Sequence, residues 1–154
     1  MNAPELRLTF QADEDGWTGE LFATVRSVAF SGKGSAWFDR ESAKASFLVA
    51  LRSFPFPVTA PPTIEGGFWS KEKSGNLDQC HLRIAIKPYD SRGTLLVHVD
   101  LATQSWKTPD VDLQNSASIR FLTEYAAIDA FAEHLEQVFD GKRDEAVLKG
   151  NVGP

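Results

Sequence analysis

Between Cys80 and Ala102 the chain alternates apolar and polar residues with a period of two. Cys80, Leu82, Ile84 and Ile86 interleave with His81, Arg83, Ala85 and Lys87. Leu95, Val97, Val99 and Leu101 then interleave with Leu96, His98, Asp100 and Ala102. Successive side chains of a strand point to opposite faces, so the pattern predicts a β-hairpin with one aliphatic and one charged side. A turn at Asp90-Ser91-Arg92-Gly93, with Tyr89 opposite Thr94, sets Ile86 across from Val97, Ile84 across from Val99 and Arg83 across from Asp100. A one-residue slip would put Ile84 against Asp100, so the alternation fixes the register.

Similar reasoning reads the flanking segments. Leu6, Leu8 and Phe10 share a face of a short strand, and Asp13-Glu14-Asp15-Gly16 makes a polar turn. Leu21 to Phe30 is β-rich, and Ser31-Gly32-Lys33-Gly34 reads as the connection back through Ser35 to Phe38. Asp39 is placed to cap a helix whose apolar stripe is Ala43, Phe47, Ala50, Leu51 and Phe54. Pro55 ends that helix, because a proline drives the residue before it out of the α region. The stretch from Phe54 to Pro62 reads as a stiff, extended connector, with Phe56 and Val58 packing on the body of the fold. Thr63 to Trp69 is a strand in which Gly66-Gly67 signals a bulge or a close backbone approach. Ala117 to Thr123 is another strand. Ile128, Phe131, Leu135, Val138 and Phe139 stripe a second helix, which Gly141 ends. Residues 144–154 read as a loosely ordered tail.

Apolar anchors of the first strand–helix unit, Trp37, Phe38, Phe47, Leu51 and Phe54, recur 84 residues later as Phe121, Leu122, Phe131, Leu135 and Val138. The match is one of pattern rather than identity, and either ordinary helix periodicity or an internal pseudo-repeat accounts for it. The element order β-β-β-α-β-β-β-β-α predicts an α+β domain spanning residues 1–154. In it, an antiparallel sheet of about seven strands carries both amphipathic helices on one face. The other sheet face lacks helix cover, so two copies could pair through it as a homodimer.

The 154 residues suffice for one sizeable core. A net charge of −5 argues against a nucleic-acid partner, which normally calls for a clustered basic face. Cys80 is the single cysteine, which excludes an internal disulfide and a cysteine-based zinc site. No basic-then-apolar leader and no apolar run of membrane-spanning length stands in the sequence, so a cytoplasmic location without membrane attachment is expected.

Candidate chemistry is sparse. In the predicted register His81, Arg83, Lys87, His98 and Asp100 all lie on the polar face of the hairpin. A histidine beside an aspartate can do general acid–base work and an arginine can hold an anion. A solvated sheet face with an Arg83–Asp100 ion pair accounts for the same residues. The histidine spacing does not suit a metal, so no metal or cofactor is expected. Cys80 falls on the aliphatic face and reads as core. Neither a nucleophile elbow nor a phosphate loop is present. Trp17, Trp69 and Trp106 fall at strand ends or in loops, where an indole either caps the core or anchors a partner.

The Phe30-Ser31-Gly32 turn, the strand ending Ala36-Trp37-Phe38, the helix with Phe47, Leu48 and Leu51, and the hairpin opening Leu82-Arg83-Ile84 form a recognisable order. Over roughly residues 5 to 140 it resembles small bacterial α+β proteins, including the WapI-type immunity proteins. That resemblance implies a non-enzymatic domain that binds another protein, such as a cognate toxin domain, with no catalytic residues to carry over. The expected function is therefore partner binding, with Trp69 and Trp106 as anchors and Arg83 and Asp100 setting electrostatic register. Two alternatives stand beside it: an enzyme using His98, Asp100 and Arg83 in a cleft, and a small-molecule carrier with an aromatic-lined cavity.

Overall fold

The computed structural model describes residues 3–105 and 113–152. Eight strands and two helices follow one another along it. Strands β1 (Glu5–Ala12), β2 (Thr18–Ser27) and β3 (Phe30–Asp39) form a meander. The first helix, α1, is continuous but not uniform: an α turn Arg40–Ala43, a π-helical stretch Lys44–Leu48, and an α turn Val49–Leu51. Strands β4 (Thr63–Trp69), β5 (Leu77–Pro88), β6 (Thr94–Ala102) and β7 (Ser116–Glu124) form a second meander. Helix α2 (Tyr125–Phe139) and the short strand β8 (Ala146–Lys149) complete the chain.

Instead of one sheet of about seven strands, the chain forms two antiparallel sheets of four, ordered β3-β2-β1-β8 and β4-β5-β6-β7. Between β3 and β4 lie α1 and the proline-rich connector, so these sequential strands end up in different sheets. Each meander is followed by a helix and then by a strand that crosses to the other sheet. After α1, β4 joins β5; after α2, β8 joins β1.

The reason for two sheets is visible in their inner faces. Leu6, Leu8, Leu21, Ala23, Val25 and Ala36 on the first, and Leu82, Ile84, Ile86, Val97, Val99 and Leu101 on the second, are almost fully buried in one continuous core. Two apolar sheet faces of this area are most readily covered by each other and by the apolar stripes of the helices. Helix α2 packs against β8, β1 and α1, and its Phe139 ring meets Phe10 edge-on at 5.1 Å. Helix α2 also contacts β7, so it reaches both sheets, while α1 packs on β3 and α2.

Glycines in β3 set how closely the sheets approach. Ser31–Gly34 was the expected turn, but the strands reverse at Val28-Ala29, with Ser27 opposite Phe30, and Val28 takes a φ of 57°. Gly32 and Gly34 sit inside β3 and face the second sheet. A Cβ on Gly32 would lie 2.7 Å from the Ala117 Cβ, and one on Gly34 would lie 3.1 Å from the Leu101 Cβ. These residues make room for the opposing sheet.

Other differences follow from local geometry. Asp39 caps α1 as expected, its Oδ1 accepting from the Ser42 amide at 2.9 Å. The π-helical turn brings Leu48 into the core beside Phe47. The helix stops at Leu51, so Phe54 leaves the stripe, stays exposed and meets the Tyr125 ring at 4.7 Å. In the connector Phe56 is buried, while Val58 is exposed. The expected loose tail is instead tied down over 146–149. Ala146 and Leu148 are fully buried, the Gly150 amide donates to the Pro4 carbonyl at 2.7 Å, and the Thr123 hydroxyl donates to the Lys149 carbonyl at 2.9 Å. Among the described residues no helix is long and apolar enough to cross a membrane.

Candidate functional site

The hairpin register is the one that alternation demands: Arg83 opposite Asp100, Ile84 opposite Val99 and Ile86 opposite Val97. Ile84 and Val99 are fully buried. Arg83, Lys87, His98 and Asp100 therefore share the outer face of the second sheet. His81 does not join them. Gly66 pairs with Leu82 and Gly67 with Cys80, which leaves His81 as the extra residue of a β-bulge. The bulge breaks the alternation and turns His81 into the interior, where only 2% of it is exposed.

There His81 belongs to a buried polar cluster. Its Nε2 lies 2.5 Å from the Gln79 Oε1, which also accepts from the Ser105 amide at 2.9 Å, and Phe68 meets the imidazole edge-on at 4.6 Å. Burial pushes the His81 pKa down, which favours the neutral ring. Gly67 makes this packing feasible, because a Cβ there would lie 2.0 Å from the Gln79 carbonyl oxygen. The same bulge corrects the placement of Cys80. It is only half-buried and lines a shallow hollow with Asp100, Ser116 and Ser118, while burial and the nearby Glu65 carboxylate push its thiol pKa up.

On the outer face, Arg83 turns to Glu65 rather than to Asp100, with Nε 3.8 Å from the Glu65 Oε2. Asp100 instead approaches His98, Oδ2 to Nε2 at 3.8 Å, too long for a hydrogen bond. Burial lowers the His98 pKa, opposed by Asp100 and reinforced by Arg120, Lys87 and Arg83. With His81 on the opposite side of the sheet, the two histidines cannot act on one substrate from one face. Among the described residues no three His, Cys, Asp or Glu side chains converge as metal ligands.

The more distinctive feature lies at the edge of this face. Strands β3 and β4, the edge strands of the two sheets, come together beside the start of α1. A Cβ on Gly66 would lie 2.7 Å from the Phe38 ring, so the strands meet tightly at this point. The junction leaves a groove of about 360 Å³ lined by Trp37, Phe38, Asp39, Ser42, Ile64, Glu65 and Trp69 among others. Trp37 is 51% exposed and Trp69 48% exposed. Two half-exposed indoles, an apolar floor and two carboxylates thus share one concave surface.

Of the residues singled out in the sequence, Trp69 lines this groove and Arg83 reaches it through Glu65, while Asp100, farther along the outer face on β6, lines the hollow beside Cys80. Trp17 is 66% exposed and stands in the turn before β2. Trp106 lies outside the described residues. Trp37 was missed because it served only as an apolar strand anchor. The signal for it was present: Gly32, Gly34 and Ala36 fall on one face of β3, which puts Lys33, Ser35 and Trp37 on the other.

Compared with protein-family models, curated proteins and solved structures, the chain matches none.

Proposed function

We propose that this chain is a non-enzymatic protein-binding domain of bacterial type, acting in the cytoplasm, whose docking surface is the Trp37–Trp69 groove and the adjoining outer face of the second sheet. One observation carries the reading: two large aromatic side chains stay half-exposed on a shared concave surface instead of completing the core. Large aromatics set in a partly desolvated concavity are the side chains that dominate association energies. Asp39 and Glu65 at the rim, on a chain of net charge −5, suit a basic segment of the partner. Arg83 and Asp100 extend the surface along β5 and β6 and supply charges that fix orientation.

An immunity-type inhibitor that covers the active site of a toxin domain fits this description, and the groove would seat a protruding basic loop of that toxin. The two halves also support descent from a duplicated unit. Each has three meander strands (β1–β3 and β5–β7), a helix and a strand given to the other sheet. Buried Phe47 and Leu51 of α1 correspond to buried Phe131 and Leu135 of α2, whereas Phe54 lies beyond α1 and Trp37 is exposed where Phe121 is buried.

The test is retention of a partner from a lysate of the source organism by the full chain, followed by affinity measurement with the purified partner. Trp37→Ala and Trp69→Ala should each weaken the complex by roughly 2 kcal/mol, about 30-fold in Kd, with an unchanged melting temperature. Equal affinity for wild type and the folded double variant would reject the groove as the docking site.

A further inference from the structure

The outer face of the first sheet carries a second hollow, which shares no lining residue with the groove and whose chemistry is the reverse of the groove's. We propose that it binds a small phosphate monoester bearing a flat apolar group. The register aligns Glu5 with Arg26 and Ser31 across β1, β2 and β3, and in the next outward row Arg7 with Thr24 and Lys33. These side chains line a hollow of about 490 Å³, within the range of small-ligand sites.

Glu5 organises the cations. Its carboxylate, 11% exposed, accepts from Arg7 Nη2 at 3.0 Å and from Arg26 Nη2. Arg7 also donates to Glu145 at 2.5 Å. A guanidinium has five N–H donors, so both arginines keep donors beyond these contacts, and their side chains are 41% and 46% exposed. Lys33 makes no ion pair among the described residues. Three cations therefore face two carboxylates on a chain whose overall charge is −5. Two pre-oriented planar forks and a point charge match the several oxygens of a phosphate better than a single carboxylate.

A neighbouring hollow of about 190 Å³ shares Arg7, Thr24 and Lys33 with the first and adds Thr9 and Phe22. Phe22 is half-buried, so its ring is held in place yet presents a surface. A planar group attached to the phosphate would rest on that ring, as bases rest on aromatic platforms. The two hollows together call for a ligand of the shape of a mononucleotide.

The test is an amide NMR titration of the full chain at low salt with AMP, inorganic phosphate and adenosine in separate samples. AMP should give saturable shifts at Thr24, Arg26 and Lys33, phosphate the same shifts at higher concentration, and adenosine at most weak shifts near Phe22. Lys33→Gln removes no structural ion pair, so it should keep the melting temperature while weakening AMP about tenfold or more. Phe22→Leu should bring AMP down to the affinity of phosphate. Absence of saturable shifts with AMP and phosphate would overturn the site, as would AMP binding unaffected by Lys33→Gln. AMP no tighter than phosphate would overturn the paired-hollow assignment.

Discussion

Replacing Leu148 by alanine tests whether the C-terminal strand is part of the fold. Leu148 is fully buried in β8 and pairs with Leu6 of β1, itself fully buried, and α2 packs against the same strand. Truncation to alanine removes three carbon atoms from a site closed on several sides, so the surroundings can collapse only in part. Substitutions of this kind cost about 2–5 kcal/mol, and about 3 kcal/mol is expected here. For a chain of this size that corresponds to a fall of roughly 6–12 °C in melting temperature. Lys149→Ala is the control: its side chain is exposed, and its effect should stay within about 0.5 kcal/mol. Thermal melts followed by circular dichroism, and urea unfolding followed by tryptophan fluorescence, read both variants. If Leu148→Ala melted with Lys149→Ala and wild type, residues 146–149 would be a frayed tail, and the four-stranded first sheet would be wrong.

Gly67→Ala should cost about 1–3 kcal/mol, because the new methyl would press on the Gln79 backbone and displace the bulge; an unchanged urea midpoint would refute the bulge geometry. Burial alone would raise the Glu5 pKa, but hydrogen bonds and charge from Arg7 and Arg26 outweigh it and hold the carboxyl below the ordinary glutamate value. The unfolded chain therefore takes up the proton first on acidification. The Glu5 contribution is whole above the unfolded pKa and is lost as pH falls through the folded one. Glu5→Gln should flatten the drop in melting temperature below about pH 4.5, and an identical acid slope in both proteins would contradict the ion-pair assignment.

Much of the local structure was legible in the sequence. The β5–β6 register, the Asp39 cap, the stripe of α2 and its stop at Gly141 all follow from interactions within a few residues or across one tight turn. Such patterns are written in consecutive side chains, because the periods of strand and helix decide which residues share a face. Gly66-Gly67 signals a bulge or a close approach in its own strand. Its consequence fell on the partner strand, however, where it sent His81 inward and Cys80 outward. Strict alternation along β5 cannot register an extra residue that exists only relative to β4. The charged cluster on the outer face therefore lost one of its five members.

What only the tertiary structure decided was which segments meet across long stretches of chain. Pairing of β1 with β8 and division into two sheets depend on covering two apolar faces at once, and no single segment encodes that condition. Gly32 and Gly34 look like turn residues in isolation and become spacers only against Ala117 and Leu101. The Trp37–Trp69 groove likewise exists only because edge strands of two sheets converge. The sequence by itself determined the elements and the faces they present; burial of those faces against one another determined the architecture, and with it the surfaces left exposed.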